Sequence, residues 1–357
     1  MLESCRAAAA ALLETVKSGS DEARCRFKWD HPRFRGRPFS EVDPAGLALA
    51  DAQLVIAREH AFETWEDLVE FTGLVERDAT IARFETAVEA VIAGDRQRLQ
   101  GMLADHPELA RARSIRRHHA TLLHYLGANG VEGGRQRTPG NAVEIAKLLL
   151  ESGAEADAPA DLYGGQSTTM SMLVSSSHPA EAGLQCELAR TLLDYGAALE
   201  GPQAGGQPPL MTALTFGYLD TAKLLVQRGA RVDTLPAAAG LGRLEEVRRL
   251  LPDAGEASRH LALALAAQHG QVEVLRLLLD AGEDPSRYNP EGHHSHCTPL
   301  HQAIWSNQMQ AVELLVARGA RLDLQDSIYQ GTPLDWALYG ERAEIAGFLR
   351  RHGAPSS

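Results

Sequence analysis

Two stretches of the chain concentrate side chains that can do chemistry. The first is Gly292-His-His-Ser-His-Cys-Thr-Pro-Leu-His301. Its His293, His294, His296 and Cys297 offer the nitrogen and sulfur donors that a zinc ion prefers, so they are the candidate metal ligands. Their spacing matches no closed zinc motif, however, and neighbouring side chains in a hairpin alternate faces. The second is a pair of polar insertions, residues 129–141 and 175–185. They bring Asn129, Glu132, Arg135, Gln136, Arg137 and His178 forward as candidate binding residues. Paired arginines suit bidentate recognition of carboxylates or phosphates. Ser175 to Ser177 precede His178 as a nucleophile and base would, but no third orienting group can be named, so no catalytic residue is assigned. Gly-x-Ser-x-Gly, the phosphate-binding loop and His-Glu-x-x-His do not occur. No cofactor is implied.

The elements that must position these residues show a repeat. Thr298-Pro-Leu-His301, Val312-Glu-Leu-Leu315 and Gly319-Ala320 return as Thr332-Pro-Leu-Asp335, Ala343-Glu-Ile-Ala346 and Gly353-Ala354, 34 residues later in each of the Thr and Gly cases. Threonine can cap the first helix, proline fits its first turn, and the glycine ends the second helix in the left-handed conformation. With these residues the chain resembles the ankyrin repeat family, whose period is about 33 residues. The resemblance implies an all-α solenoid of helix-turn-helix units with hairpin loops. It also implies that the imidazole of His301 ties neighbouring hairpins together.

Residues 81–357 are expected to form seven to eight such repeats. A degenerate first unit ends near Ala110, and units follow at Thr121, Thr168, Pro209, Pro236, His260, Thr298 and Thr332. Residues 1–80 lack the period. They resemble the helical lead-in of bacterial ankyrin arrays and are expected to cap the first repeat. Within them, Arg24 to Arg37 mixes arginines with Phe27, Trp29 and Phe34, a basic-aromatic stretch expected to be a loop. Asn141 with Glu144 has the form of a capping box for the helix after the first insertion. The insertions, in adjacent units, are expected to lie side by side, with the hairpin around Tyr163 projecting from the other end of the helices.

The composition narrows the function. A net charge of -12 over 357 residues argues against general nucleic-acid binding. No apolar run approaches a membrane span, so no membrane insertion is expected. Cys5, Cys25, Cys186 and Cys297 form no Cys-x-x-Cys pair, which suits a cytoplasmic protein. The reading is therefore a non-enzymatic scaffold that binds an unidentified protein partner through its concave face and the two insertions. A small-ligand or metal site at the insertions, with or without chemistry, is the competing reading.

Overall fold

A computed structural model describes residues 1–201 and 207–355; residues 202–206 and 356–357 of the expected array lie outside the described residues. The chain divides into two compact units, Met1–Thr212 and Ala213–Ser357.

The first unit opens with four helices, α1 (Leu2–Lys17), α2 (Asp21–Asp30), α3 (Leu49–Glu59) and α4 (Trp65–Arg77). Cys5, Ala9, Leu12 and Val16 recur at helical spacing on α1 and are buried together with Phe27, Val55 and Leu68. The basic-aromatic stretch differs from expectation. Ser20 caps α2, which carries Arg24 to Asp30 as helix, and three-residue helical turns follow. Its cations are held locally: Arg26 grips Glu59 through two bonds of 2.6 Å, and the guanidinium of Arg24 lies 4.4 Å from the ring of Phe39.

Helix pairs then begin with α5 (Ala79–Ala93) and α6 (Arg96–Asp105). The next pair is the short α7 (His124–Gly127) with α8 (Ala142–Glu151). After the hairpin β1 (Ala160–Leu162) and β2 (Gly165–Ser167) come α9 (Thr169–Leu173), α10 (Ser177–Glu181) and α11 (Gln185–Asp194). The strands pair antiparallel, Ala160 opposite Ser167, and form the only sheet among the described residues. The second insertion, expected as a loop, thus contains the short helix α10. Gly94 ends α5 at φ 71°, and a Cβ there would stand 2.4 Å from Oδ1 of Asn141. The Asn141 amide donates to the Gly94 carbonyl at 2.8 Å, so it ties α8 to α5 rather than capping its own helix.

In the second unit, first helices Leu235–Gly240, Glu256–Gln268, Pro299–Trp305 and Pro333–Tyr339 pack on one another in sequence order. Second helices Leu244–Leu250, Val272–Asp280, Met309–Ala317 and Ala343–Arg351 stack behind them. Ala262, Leu275, Leu300, Ala303, Ile304, Val312 and Leu315 fill the space between the layers. The small Ala262 and Ala303 let first helices approach closely. The fold is all-α, a stack of helix pairs.

One device recurs in both units. Thr298 and His301 are joined by a 2.8 Å bond between Oγ1 and Nδ1, and His301 Nε2 faces the Gly331 carbonyl at 3.4 Å. In the first unit Thr121 and His124 repeat the pattern, with Nε2 facing the Ser167 carbonyl at 3.3 Å. Each imidazole links its own repeat to the next hairpin, as the resemblance implied.

Candidate functional site

The first insertion is built around a buried charge cluster. The segment 113–121 is a tight turn, closed by an antiparallel bridge between Arg113 and Thr121 and by the His119 amide donating to the Arg116 carbonyl at 2.9 Å, with Ser114, Arg116, His118 and Ala120 buried and the residues between them exposed. This turn sets alternate side chains on its inner side. It carries Arg116 inward, where its guanidinium is fully enclosed and paired with Glu132 and, at 2.9 Å, with Glu85. The same guanidinium lies 4.5 Å from the ring of Phe71 and 5.5 Å from that of Phe62, so it joins the N-terminal helices to the repeats. Glu132 also accepts from the Tyr125 hydroxyl at 2.6 Å and from Arg135 at 3.0 Å.

These contacts fix ionisation. Burial alone would raise the carboxyl pKa of Glu132, but the Arg116 charge, the imidazoles of His118 and His60, and Arg135 hold it well below the usual range. Burial likewise pulls His60 down, yet Cys5 and Glu132 outweigh it and push its pKa up to about 9. Its Nδ1 lies 3.9 Å from Glu132, beyond a hydrogen bond, so that partner acts through charge.

The other candidate residues of the insertions separate. Arg135 turns to Glu85 at 3.0 Å and Glu89 at 2.8 Å on α5, away from the second insertion. Asn129 bridges the insertions, donating to Ser175 Oγ at 2.6 Å. Gln136 and His178 are half-buried and Arg137 is exposed. The hairpin expected at the far end instead reaches the first insertion, where Tyr163 donates to Asn129 Oδ1 at 3.0 Å.

That contact depends on Gly130, whose φ is 76° and whose added Cβ would meet the Tyr163 hydroxyl at 2.3 Å. Gly130→Ala is expected to expel the tyrosine and strain the backbone, destabilising the first unit by about 1–2 kcal/mol. Urea unfolding measures the cost. An unchanged midpoint would show that the loop relaxes freely.

The histidine hairpin of the second unit directs its donors apart. His293 Nδ1 lies 3.0 Å from Thr215 Oγ1, and His294 Nε2 donates to the Thr215 carbonyl at 3.0 Å. Cys297 is fully buried with its sulfur against the Gln302 amide at 3.2 Å, and burial pushes its thiol up to about 12. Among the described residues, no three His, Cys, Asp or Glu side chains are grouped as metal ligands.

His294 and His296 belong to a different assembly, a row of rings. Phe216 meets His294 at 6.0 Å between centroids, His294 meets His296 at 6.0 Å, and His296 meets Trp336 at 6.0 Å. Trp336 sits edge-on to Trp305 at 5.9 Å, and Trp305 stacks on Tyr339 at 6.4 Å. Trp305 is 49 % and Tyr339 81 % exposed; Phe216, at the other end of the row, and Leu338 are exposed as well. The members of the row come from the ends of first helices and from the hairpin. Sequence reading missed Trp305 and Tyr339, although they are 34 residues apart and so occupy the same repeat position.

The repeat geometry agrees with comparison to known proteins. Residues 235–326 match the family model for ankyrin repeats in three copies. These residues, within the second unit, are ankyrin repeats. The ankyrin repeat and KH domain-containing protein mask-1 of Caenorhabditis elegans is 26 % identical over 227 residues, covering 60 % of this chain and 8 % of that protein. The E3 ubiquitin-protein ligase KEG of Arabidopsis thaliana is 27 % identical over 191 residues, covering 50 % of this chain and 10 % of the ligase. Human ankyrin repeat and SOCS box protein 16 is 30 % identical over 217 residues, covering 55 % of this chain and 44 % of that protein. The chain therefore spans less than half the length of these ankyrin-repeat relatives. Ankyrin repeats are generally protein–protein interaction modules. Among the described residues, no helix is long and apolar enough to cross a membrane.

Proposed function

We propose that this chain is a non-enzymatic protein-interaction scaffold whose partner docks on the first helices and hairpins of the repeats. The exposed ring row ending in Trp305 and Tyr339 carries the reading. Tyrosine and tryptophan dominate binding hot spots because they bury large area at little entropic cost. Phe216, at the other end of the row, adds exposed apolar area. In the first unit the outer residues of the insertions, Gln136, Arg137 and His178, supply a second, polar contact, while Glu132 and Arg135 hold those loops in place. With a net charge of -12, the fitting partner is a protein segment whose apolar side chains are flanked by basic ones. Residues 1–80 act as the cap of the array. The cysteines Cys5, Cys25, Cys186 and Cys297 are all free thiols, which supports a cytoplasmic setting.

The test is affinity capture from the native host, followed by binding measurements with whatever partner is recovered. Trp305→Ala with Tyr339→Ala is expected to weaken binding by at least about 2 kcal/mol, roughly thirty-fold. Arg137→Ala with His178→Ala is expected to cost less, about 1 kcal/mol or below. Full affinity in the aromatic double variant, with its fold intact by circular dichroism, would remove the ring row from the interface.

A further inference from the structure

The first unit holds a cavity of about 380 Å³ that the interaction reading does not use. Asp30, Arg35, Arg58, Arg117 and Asp161 give it charged walls, and Phe62 and Leu162 give it apolar ones. Two of those charges are already met: Arg117 pairs with Glu63, and Asp161 lies 2.7 Å from the His119 ring. Arg35, Arg58 and Asp30 remain. Arg58 has its Nε buried with no hydrogen-bond partner. His118 also lines the space and is 98 % buried, with 2 % exposure. Its Nδ1 accepts from the Ala120 amide at 3.0 Å, and its Nε2 faces Glu132 Oε1 at 3.8 Å, so this imidazole belongs to the buried charge cluster. Burial and the charge of Glu59 push the Asp30 carboxyl up to about 6, against the pull of Arg26, Arg35 and Arg58. Ala61, in the wall, is held at φ 64°, a strained conformation for a residue with a side chain.

What is left over after internal pairing is two guanidinium groups and one carboxyl. We propose that this cavity binds a small organic oxyanion, a carboxylate or phosphate held by Arg35 and Arg58, with a ligand hydroxyl or amine donating to Asp30. The charged lining balances, with Arg35, Arg58 and Arg117 against Asp30, Glu63 and Asp161, so the ligand's anionic group is held by direct bonds from Arg35 and Arg58 and not by a net positive charge. Phe62 and Leu162 accept a short carbon skeleton, so the site favours a small metabolite over a macromolecule. The site is built by residues of the first unit and the ring row by residues of the second, and neither reading depends on the other.

Isothermal titration of the full chain with inorganic phosphate and, separately, with L-malate tests the site and tells phosphate from carboxylate recognition. The expected result is saturable one-to-one binding of one probe. Arg58→Gln should weaken it about ten-fold or more, because a charge-assisted, guanidinium-based contact is lost. Asp30→Asn should strengthen it by removing a like charge. Arg35→Gln, at an exposed side chain, serves as the second variant should Arg58→Gln unfold. Absence of saturable binding by both probes overturns the proposal. So does a loss on Arg137→Gln equal to that on Arg58→Gln, which would mean diffuse attraction to surface arginines.

Discussion

Arg116→Ala is expected to lower the stability of the first unit by about 3–5 kcal/mol, the largest effect of any single substitution considered for this chain. The guanidinium is fully buried against Glu85 and Glu132, and Glu132 is 1 % exposed. Removing the cation leaves a carboxylate in a dry setting, with only Arg135 and the more distant charge of His60 to balance two glutamates. Phe62 and Phe71 also lose the flat group packed on them. The cost should therefore appear as a shift in the unfolding midpoint of the first unit, without a comparable change in the second. Arg116→Met combined with Glu132→Gln is expected to recover most of it. The pair then has matched volume and no unpaired charge, and glutamine still accepts from Tyr125. Urea unfolding of the three proteins, followed by hydrogen exchange on peptides of each unit, measures both effects. An Arg116→Ala cost below about 1 kcal/mol would mean that water reaches the cluster.

This cluster also shows where sequence reading stopped. Thr298-Pro-Leu-His301 and its copy at Thr332 were legible because each residue has a local task that its type alone identifies. Threonine caps, proline opens the helix, and glycine closes the partner helix. The stack follows from those tasks. Arg116 was not legible, since Arg116-Arg117-His118-His119 reads as a solvated basic run. Only pairing with Glu85 and Glu132, residues 31 and 16 positions away, makes burial of one of these cations favourable. Hydropathy points the wrong way there, because Ile115 is 51 % exposed beside the buried arginine. No spacing signal marks it, because residues 115–118 are bends and turns and polar types stand on both sides of that turn. The insertions were rightly found as breaks in the repeat, but which way Arg135 turns depends on α5 carboxylates that spacing does not reveal. The ring row shows the opposite case: its periodicity was present at Trp305 and Tyr339 and simply concerned exposed residues.

Between pH 6.5 and 9 the two units are expected to respond differently. His60 titrates near 9 in the fold against about 6.5 in an open chain, so the folded state holds the proton more tightly. Its contribution is fully present below pH 6.5 and disappears as pH rises through 9, at most about 3 kcal/mol. Asp30, raised to about 6, has already released its proton and lost its share before that window is reached. The second unit has its main histidine shifts in the other direction. His301 is lowered to about 4, first by burial, and His260, His269, His293 and His296 are also lowered. These groups stabilise the fold above pH 6.5 and withdraw that stability as pH falls toward 4. Cys297, held up near 12, begins to matter only above the ordinary thiol range. The second unit should therefore be nearly flat where the first declines. Below pH 6.5 both lose stability, the first through His124, lowered to about 4, and then through Glu132 as its carboxylate takes up a proton. Hydrogen exchange after urea equilibration at pH 6.5 and 8.5 reports the two units within one sample, once intrinsic exchange rates are divided out. His60→Gln should abolish the alkaline decline of the first unit and leave the second untouched. A decline that survives this substitution would move the titrating group elsewhere, and equal slopes in both units would mean that they unfold as one.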